Sequence, residues 1–213
     1  MKSGELIAVL LAVGVVLLVA AVALARLLRG RRSRKQLAAY ARERGLEPVA
    51  EALPGVTPIL YRGSERVTRA AFEGELSPER EGTIAHYTYS ERIPVPSAKG
   101  GGGISSANFD LTVVLIEVPE AQATFPKLLC HGRHGAENTD RLDDALGRKV
   151  RLRRFFAPAT IVWLAEEMPA AFELVNGHLC CFTAGHLGSA TELDTLIWGA
   201  AELAYRLEAE ASA

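Results

Sequence analysis

The chain has 213 residues, 49% of them hydrophobic, with 24 Lys and Arg against 25 Asp and Glu. The net charge of −1 conceals an asymmetry: seven basic residues but one acid lie at or before Lys35, so residues 36–213 carry seventeen basic and twenty-four acidic groups, a net of −7. An acidic domain repels a phosphate backbone, which excludes general nucleic-acid binding, and the roughly 180 residues beyond the apolar N-terminus suffice for one domain but not two.

Leu6 to Leu28 reads LIAVLLAVGVVLLVAAVALARLL, without a charge until Arg26 and without Pro. About 20 such residues in a helix span a hydrocarbon core of roughly 30 Å, so residues 6–28 are expected to form a transmembrane helix after a short extracytoplasmic N-terminus at 1–5. Arg26, Arg29, Arg31, Arg32, Arg34 and Lys35 crowd its C-terminal flank, while Lys2 and Glu5 stand on the other. The positive-inside rule then places the N-terminus outside and the rest on the cytoplasmic face of an inner or plasma membrane. The same six side chains would lie on anionic headgroups, at about 1 kcal/mol per charge. A cleaved signal peptide competes, because Ala23-Leu24-Ala25 has the A-x-A pattern. Against it stand the long apolar run, the missing basic n-region and the odd count of three cysteines, two of them adjacent.

Residues 29–45 read as a basic juxtamembrane segment and short helix, and 46–213 as a soluble α+β domain. Ser33 and Gln36 have capping-box spacing for the helix, and Gly45 closes it. A proline-rich loop follows, then strand-like runs at 59–61, 67–76 and 83–89. IPVPSAKGGGGISS, residues 93–106, reads as a surface loop; its Lys99 precedes the glycines, the reverse of a P-loop. Residues 109–118 are almost continuously apolar and should form a central strand, with weaker strands at 127–130 and 149–153. Pro158 opens a helix that Pro169 ends. Asn176-Gly177 joins strands 172–175 and 178–182 in a hairpin of type I′. Ser189 and Glu192 form a second capping box, opening an amphipathic helix with apolar positions from Leu193 to Leu207. Together these predict a mostly antiparallel sheet packed against a few helices.

Every cysteine and four of the five histidines fall in two stretches, Cys130-His131-Gly132-Arg133-His134 and His178 to His186 with Cys180 and Cys181. Thiolate and imidazole are preferred zinc ligands, so Cys130, His131, His134, His178, Cys180 and His186 are candidate metal ligands. Neither stretch has C-x2-C or H-E-x-x-H spacing, and strand alternation sends Cys180 and Cys181 to opposite faces; no metal or cofactor is assigned on this pattern. A thiol nucleophile would need a base and a depressed pKa, and no serine lies in a G-x-S-x-G elbow. Asp140, Asp143 and Asp144, like Glu166-Glu167, read as solvated acids, and Trp163 and Trp198 as core residues of amphipathic helices.

In outline the chain resembles uncharacterised single-pass membrane proteins of high-GC bacteria, through the span and basic stop, YARERG, FDLTVVLIEVP, RFFAP, FELVNGHLCCF and the final helix. That resemblance implies no activity and carries over no functional residue. The expectation is a membrane-tethered cytoplasmic interaction or accessory domain, non-enzymatic, with membrane lipids and a protein partner. The alternatives are a metal-dependent or thiol enzyme using the Cys/His stretches, and a binder of a small lipid-like ligand.

Overall fold

A computed structural model describes residues 13–14, 17–18, 20–21, 30–50, 53–95, 103–125, 127–130 and 156–212. Most of the predicted span thus lies outside the described residues, as do the predicted strand at 149–153 and Asp140, Asp143 and Asp144. Among the described residues no helix is long and apolar enough to cross a membrane. The six described positions of the span are all helical and all exposed, Leu17 and Leu18 by about two-thirds.

Helix α1 runs over residues 30–43. It starts before Ser33, so the predicted capping box does not form; the Ser33 hydroxyl instead donates back to the Gly30 carbonyl, 3.3 Å away. The predicted C-terminus does form. Gly45 has φ of +70°, its N–H donates to Arg42 O, and Leu46 N–H donates to Ala41 O at 2.9 Å, the paired bonds of a Schellman motif. Buried Ser33, Leu37, Tyr40 and Ala41 make one helical stripe. Tyr40 and Arg44 both donate to Asp194, at 2.6 and 2.5 Å.

Among the described residues seven strands follow: β1 (Glu47–Pro48), β2 (Ser64–Ser77), β3 (Arg80–Val95), β4 (Gly103–Glu117), β5 (Lys127–Cys130), β6 (Ala171–Val175) and β7 (His178–Ala184). They form a single sheet in the order β1-β2-β3-β4-β7-β6-β5, with every pairing antiparallel. The predicted hairpin is present: Asn176 and Gly177 have φ of 51° and 78°, as a type I′ turn requires. The run 59–61 is not a strand. Pro58, with its φ already suited to a first helical position, opens the one-turn helix α2 (Pro58–Tyr61). The predicted glycine loop is also shorter than expected, because Ile93↔Ser105, Pro94↔Ile104 and Val95↔Gly103 still pair. β2 pairs only as far as Ser90 and β7 only as far as Leu111, so among the described residues this end of β3–β4 is a two-stranded ribbon with unpaired outer edges, where a proline costs no ladder bond.

Alternation along the strands builds two cores. On one face Ile84, Val114, Ile116, Leu179 and Cys181 meet α1, α3 (Pro158–Glu166) and α4 (Ala190–Ala211). On the other, Tyr87, Tyr89, Val113, Cys180 and Phe182 are covered by Leu53, Ile59 and Leu60 from the segment around α2. Glu173, wholly buried on β6, accepts the Ile59 N–H at 2.6 Å and pins that segment down. Ser189 and Glu192 form the expected capping box of α4, and the Arg80–Glu208 ion pair ties the β2–β3 turn to that helix. Trp163 is a core residue, but Trp198 is about half exposed and meets Trp163 edge-on, so it is not core as predicted.

Candidate functional site: a polar floor beside helix α1

The helix-covered face of the sheet changes character along its strands. Past Ile84, β3 presents His86, Thr88 and Ser90; before Val114, β4 presents Asn108, Asp110 and Thr112. Antiparallel register sets Thr88 opposite Asp110, His86 opposite Thr112 and Ser90 opposite Asn108. His86, Thr88, Ser90 and Thr112 are buried, which polar groups tolerate only when hydrogen-bonded. Thr88 Oγ1 donates to Asp110 Oδ1 at 2.8 Å, and Ser90 Oγ lies 2.7 Å from Asn108 Oδ1.

The connection from β7 to α4 is fastened over this floor. Gly185, at φ +86°, gives its carbonyl to the Thr112 hydroxyl at 2.9 Å, and the same hydroxyl accepts Leu187 N–H at 2.8 Å. His86 Nε2–H donates to Leu187 O at 3.0 Å. His186 is thereby stacked on His86, ring centroids 4.5 Å apart and planes 14° from parallel. Its Nε2 lies 3.3 Å from Tyr87 O and 3.7 Å from Asp110 Oδ1.

A carbonyl can only accept, so the proton of neutral His86 sits on Nε2, which leaves Nδ1 a buried acceptor without a hydrogen-bond partner among the described residues. Burial, reinforced by neighbouring His186, lowers the His86 pKa from 6.5 to about 4. Burial also lowers that of His186, against the opposing pull of Asp110. At neutral pH both rings are uncharged.

Above the floor opens a cleft of about 840 Å³ lined by Gly30, Ser33 and Arg34 of α1, Arg69 of β2, and Thr88, Asn108, Asp110 and His186. Arg69 reaches it from a β-bulge: Thr68 pairs with Tyr87 and Ala70 with His86, so Arg69 is the extra residue of β2. A bulge re-aims the side chain it carries. A second groove on the outer side of α1 is lined by Arg31, Arg32, Arg34, Lys35 and Arg69. Four of the six predicted membrane-surface residues therefore share one basic surface, joined by an arginine distant in sequence; Arg26 and Arg29 lie outside the described residues.

The Cys/His stretches are not brought together in the same way. His131 and His134 lie outside the described residues. Cys130 on edge strand β5 is in register with Phe172, and Phe172 with Cys181, which puts the two cysteines two strands, or about 10 Å, apart. His178 and His186 flank opposite ends of β7, roughly 20 Å or more along the strand. Cys180 and Cys181 face opposite cores and are fully buried. Burial pushes the Cys180 thiol up to about 12, with Thr57 only partly countering it, and raises that of Cys181 well above its ordinary range. Neither supplies a thiolate at neutral pH. Among the described residues no three His, Cys, Asp or Glu side chains gather as a metal site would require.

Sequence reasoning misses His86, Thr88, Asp110 and Arg69, and among the described residues His186 meets His86 and Asp110. The available signal was the alternation in His86-Tyr87-Thr88-Tyr89-Ser90 and Asn108-Phe109-Asp110-Leu111-Thr112. No family model, curated protein or solved structure matches this chain.

Proposed function

We propose that the protein is a membrane-tethered accessory domain, held on the cytoplasmic face by residues 6–28 and working through the polar cleft beside its juxtamembrane helix. The observation that carries this reading is the burial of Leu37, Tyr40 and Ala41 of α1 in the main core. The described part of the helix, from Gly30, lies two residues beyond the apolar run and is part of the domain, so a long slack linker has no room between anchor and domain. The cleft, lined by Gly30, Ser33 and Arg34 of α1, then faces the bilayer surface. The exposed helical residues Val13, Leu17 and Leu18 suit a lipid environment, and six basic residues suit the inner leaflet. Tethering raises the effective concentration of the domain near membrane partners without new contacts. The buried, protonated thiols favour a binding role over thiol catalysis.

In-cell crosslinking of the tagged full-length chain, compared with a chain starting at Gly30, tests the reading. Partners captured only by the anchored form are expected, together with a reporter fused after Ala213 that is active only inside the cell. A reporter active only outside the cytoplasm, or identical captures with and without the anchor, would overturn it.

A further inference from the structure

We propose that the cleft between α1 and the polar half of the sheet is a binding site for a phosphate monoester, gripped by Arg34 and Arg69. The inference rests on the tethered reading for its placement, but its chemistry stands on the cleft itself.

The two guanidinium groups arrive from different elements, one on a helix and one on a strand bulge, and both line the same cavity. Among the described residues neither is within ion-pair distance of a carboxylate. Arg34 spends only its Nε–H, on Gly30 O at 3.3 Å, so its terminal amino groups remain available. Two like charges brought together in an otherwise acidic domain repel each other unless an anion sits between them. Guanidinium forks match the oxygens of a phosphate better than they match a spherical anion. Asn108 lines the same cleft as a neutral polar group; Ser90 Oγ beside it has one proton for two acceptors, Asn108 Oδ1 at 2.7 Å and Glu65 Oε2 at 2.9 Å.

Asp110 restricts the class further. A carboxylate in the lining repels a fully ionised anion, yet it accepts a hydrogen bond from the P–OH of a singly ionised monoester. Its Oδ1 is already approached by Thr88 and His186, leaving the second oxygen for that proton. A phosphodiester has no P–OH to offer. Two sources supply a phosphate monoester at this place, a lipid headgroup such as that of phosphatidic acid and a soluble phosphate, and the groove of Arg31, Arg32 and Lys35 beside the cleft favours the first by drawing an anionic surface to its mouth.

The test is calorimetric titration of the full-length protein, in a non-ionic detergent, with dihexanoyl phosphatidic acid, dihexanoyl phosphatidylcholine and inorganic phosphate. Phosphatidic acid is expected to bind, with the choline diester at least about tenfold weaker, and Arg69→Gln to weaken the acid by about tenfold or more through loss of a charge-assisted contact. Asn108→Asp adds a negative charge to the lining and should weaken it comparably. Tighter binding of phosphatidic acid than of inorganic phosphate identifies the headgroup as the source; equal binding identifies a soluble phosphate. Equal affinity for the monoester and the diester, or an unchanged affinity in folded Arg69→Gln, overturns the site. Carbonate extraction of membranes from cells making the same chain reports the tether separately: an extracted protein that still binds phosphate refutes the anchor and leaves the site standing.

Discussion

His86 is buried without any exposed surface, on a strand flanked by two others, with its Nε2–H committed to Leu187. Placing a second proton on Nδ1 would put a charge where no acceptor waits among the described residues. His186 and Arg34 oppose that charge, and Asp110 only partly favours it. The folded-state pKa of about 4 lies below the ordinary 6.5, so the unfolded chain takes up the proton first. The stability that neutral His86 provides is therefore complete above pH 6.5 and is lost as the pH falls towards 4, by about 3 kcal/mol at the bottom of that window. His186, also lowered, adds in the same direction. Urea midpoints measured at intervals from pH 7 to pH 4 should show this slope. His86→Gln, which retains an N–H for Leu187 but has no titratable ring, should flatten it; an unchanged slope would assign the acid sensitivity elsewhere.

At the scale of elements, local chemistry was readable at most of the positions where a short-range rule applied. The Asn176-Gly177 turn, the Ser189–Glu192 capping box, the Gly45 helix stop and Pro158 at a first helical turn all formed as expected. Ser33 failed as a cap because the helix continued through it from Gly30, and a cap signal does not reveal what precedes it. The polar floor was hidden for a related reason. HYTYS and NFDLT alternate cleanly, and alternation is ordinarily read with the polar face in water. Here the aromatic face meets the segment around α2 while the polar face turns towards α1 and the β7–α4 connection, an arrangement that depends on residues from 27 to 101 positions away. Arg69 could not be placed either, since a bulge shifts the face parity by one residue.

Helix α4 illustrates how tertiary contact overrides local preference. Gly199 lies in the middle of this 22-residue helix, where Ala would raise helix stability by about 1 kcal/mol. A Cβ at that position would sit 2.6 Å from the ring carbons of Pro169, and a proline ring cannot rotate aside. Overpacking of this kind costs about 1–3 kcal/mol, so the clash wins or at least cancels the propensity gain. Gly199→Ala should thus lower the thermal midpoint or leave it level. A clear rise would show that α4 and the α3–β6 turn can separate without loss.

On the scale of the whole molecule, the consequential feature is that the basic segment after the apolar run is not a linker. Leu37 and Ala41 are wholly buried and Tyr40 nearly so, and Asp194 at the start of α4 accepts from both Tyr40 and Arg44. Burial of a large apolar side chain contributes about 1.5–3 kcal/mol, so removing α1 forfeits about 4 kcal/mol or more. Domains of this size have only about 5–15 kcal/mol in total. A chain starting at Leu46 should accordingly unfold at a much lower urea concentration than one starting at Gly30, and expose an apolar strip over α4 that invites aggregation. The Arg44–Asp194 pair, about half exposed on both sides, should account for little of the difference, so Asp194→Asn would cost far less than Leu37→Ala. If the chain from Leu46 were as stable as the longer one, α1 would be only loosely attached. The cleft would then lose its geometry, because Arg34 and Arg69 hold their spacing only while α1 stays in the core.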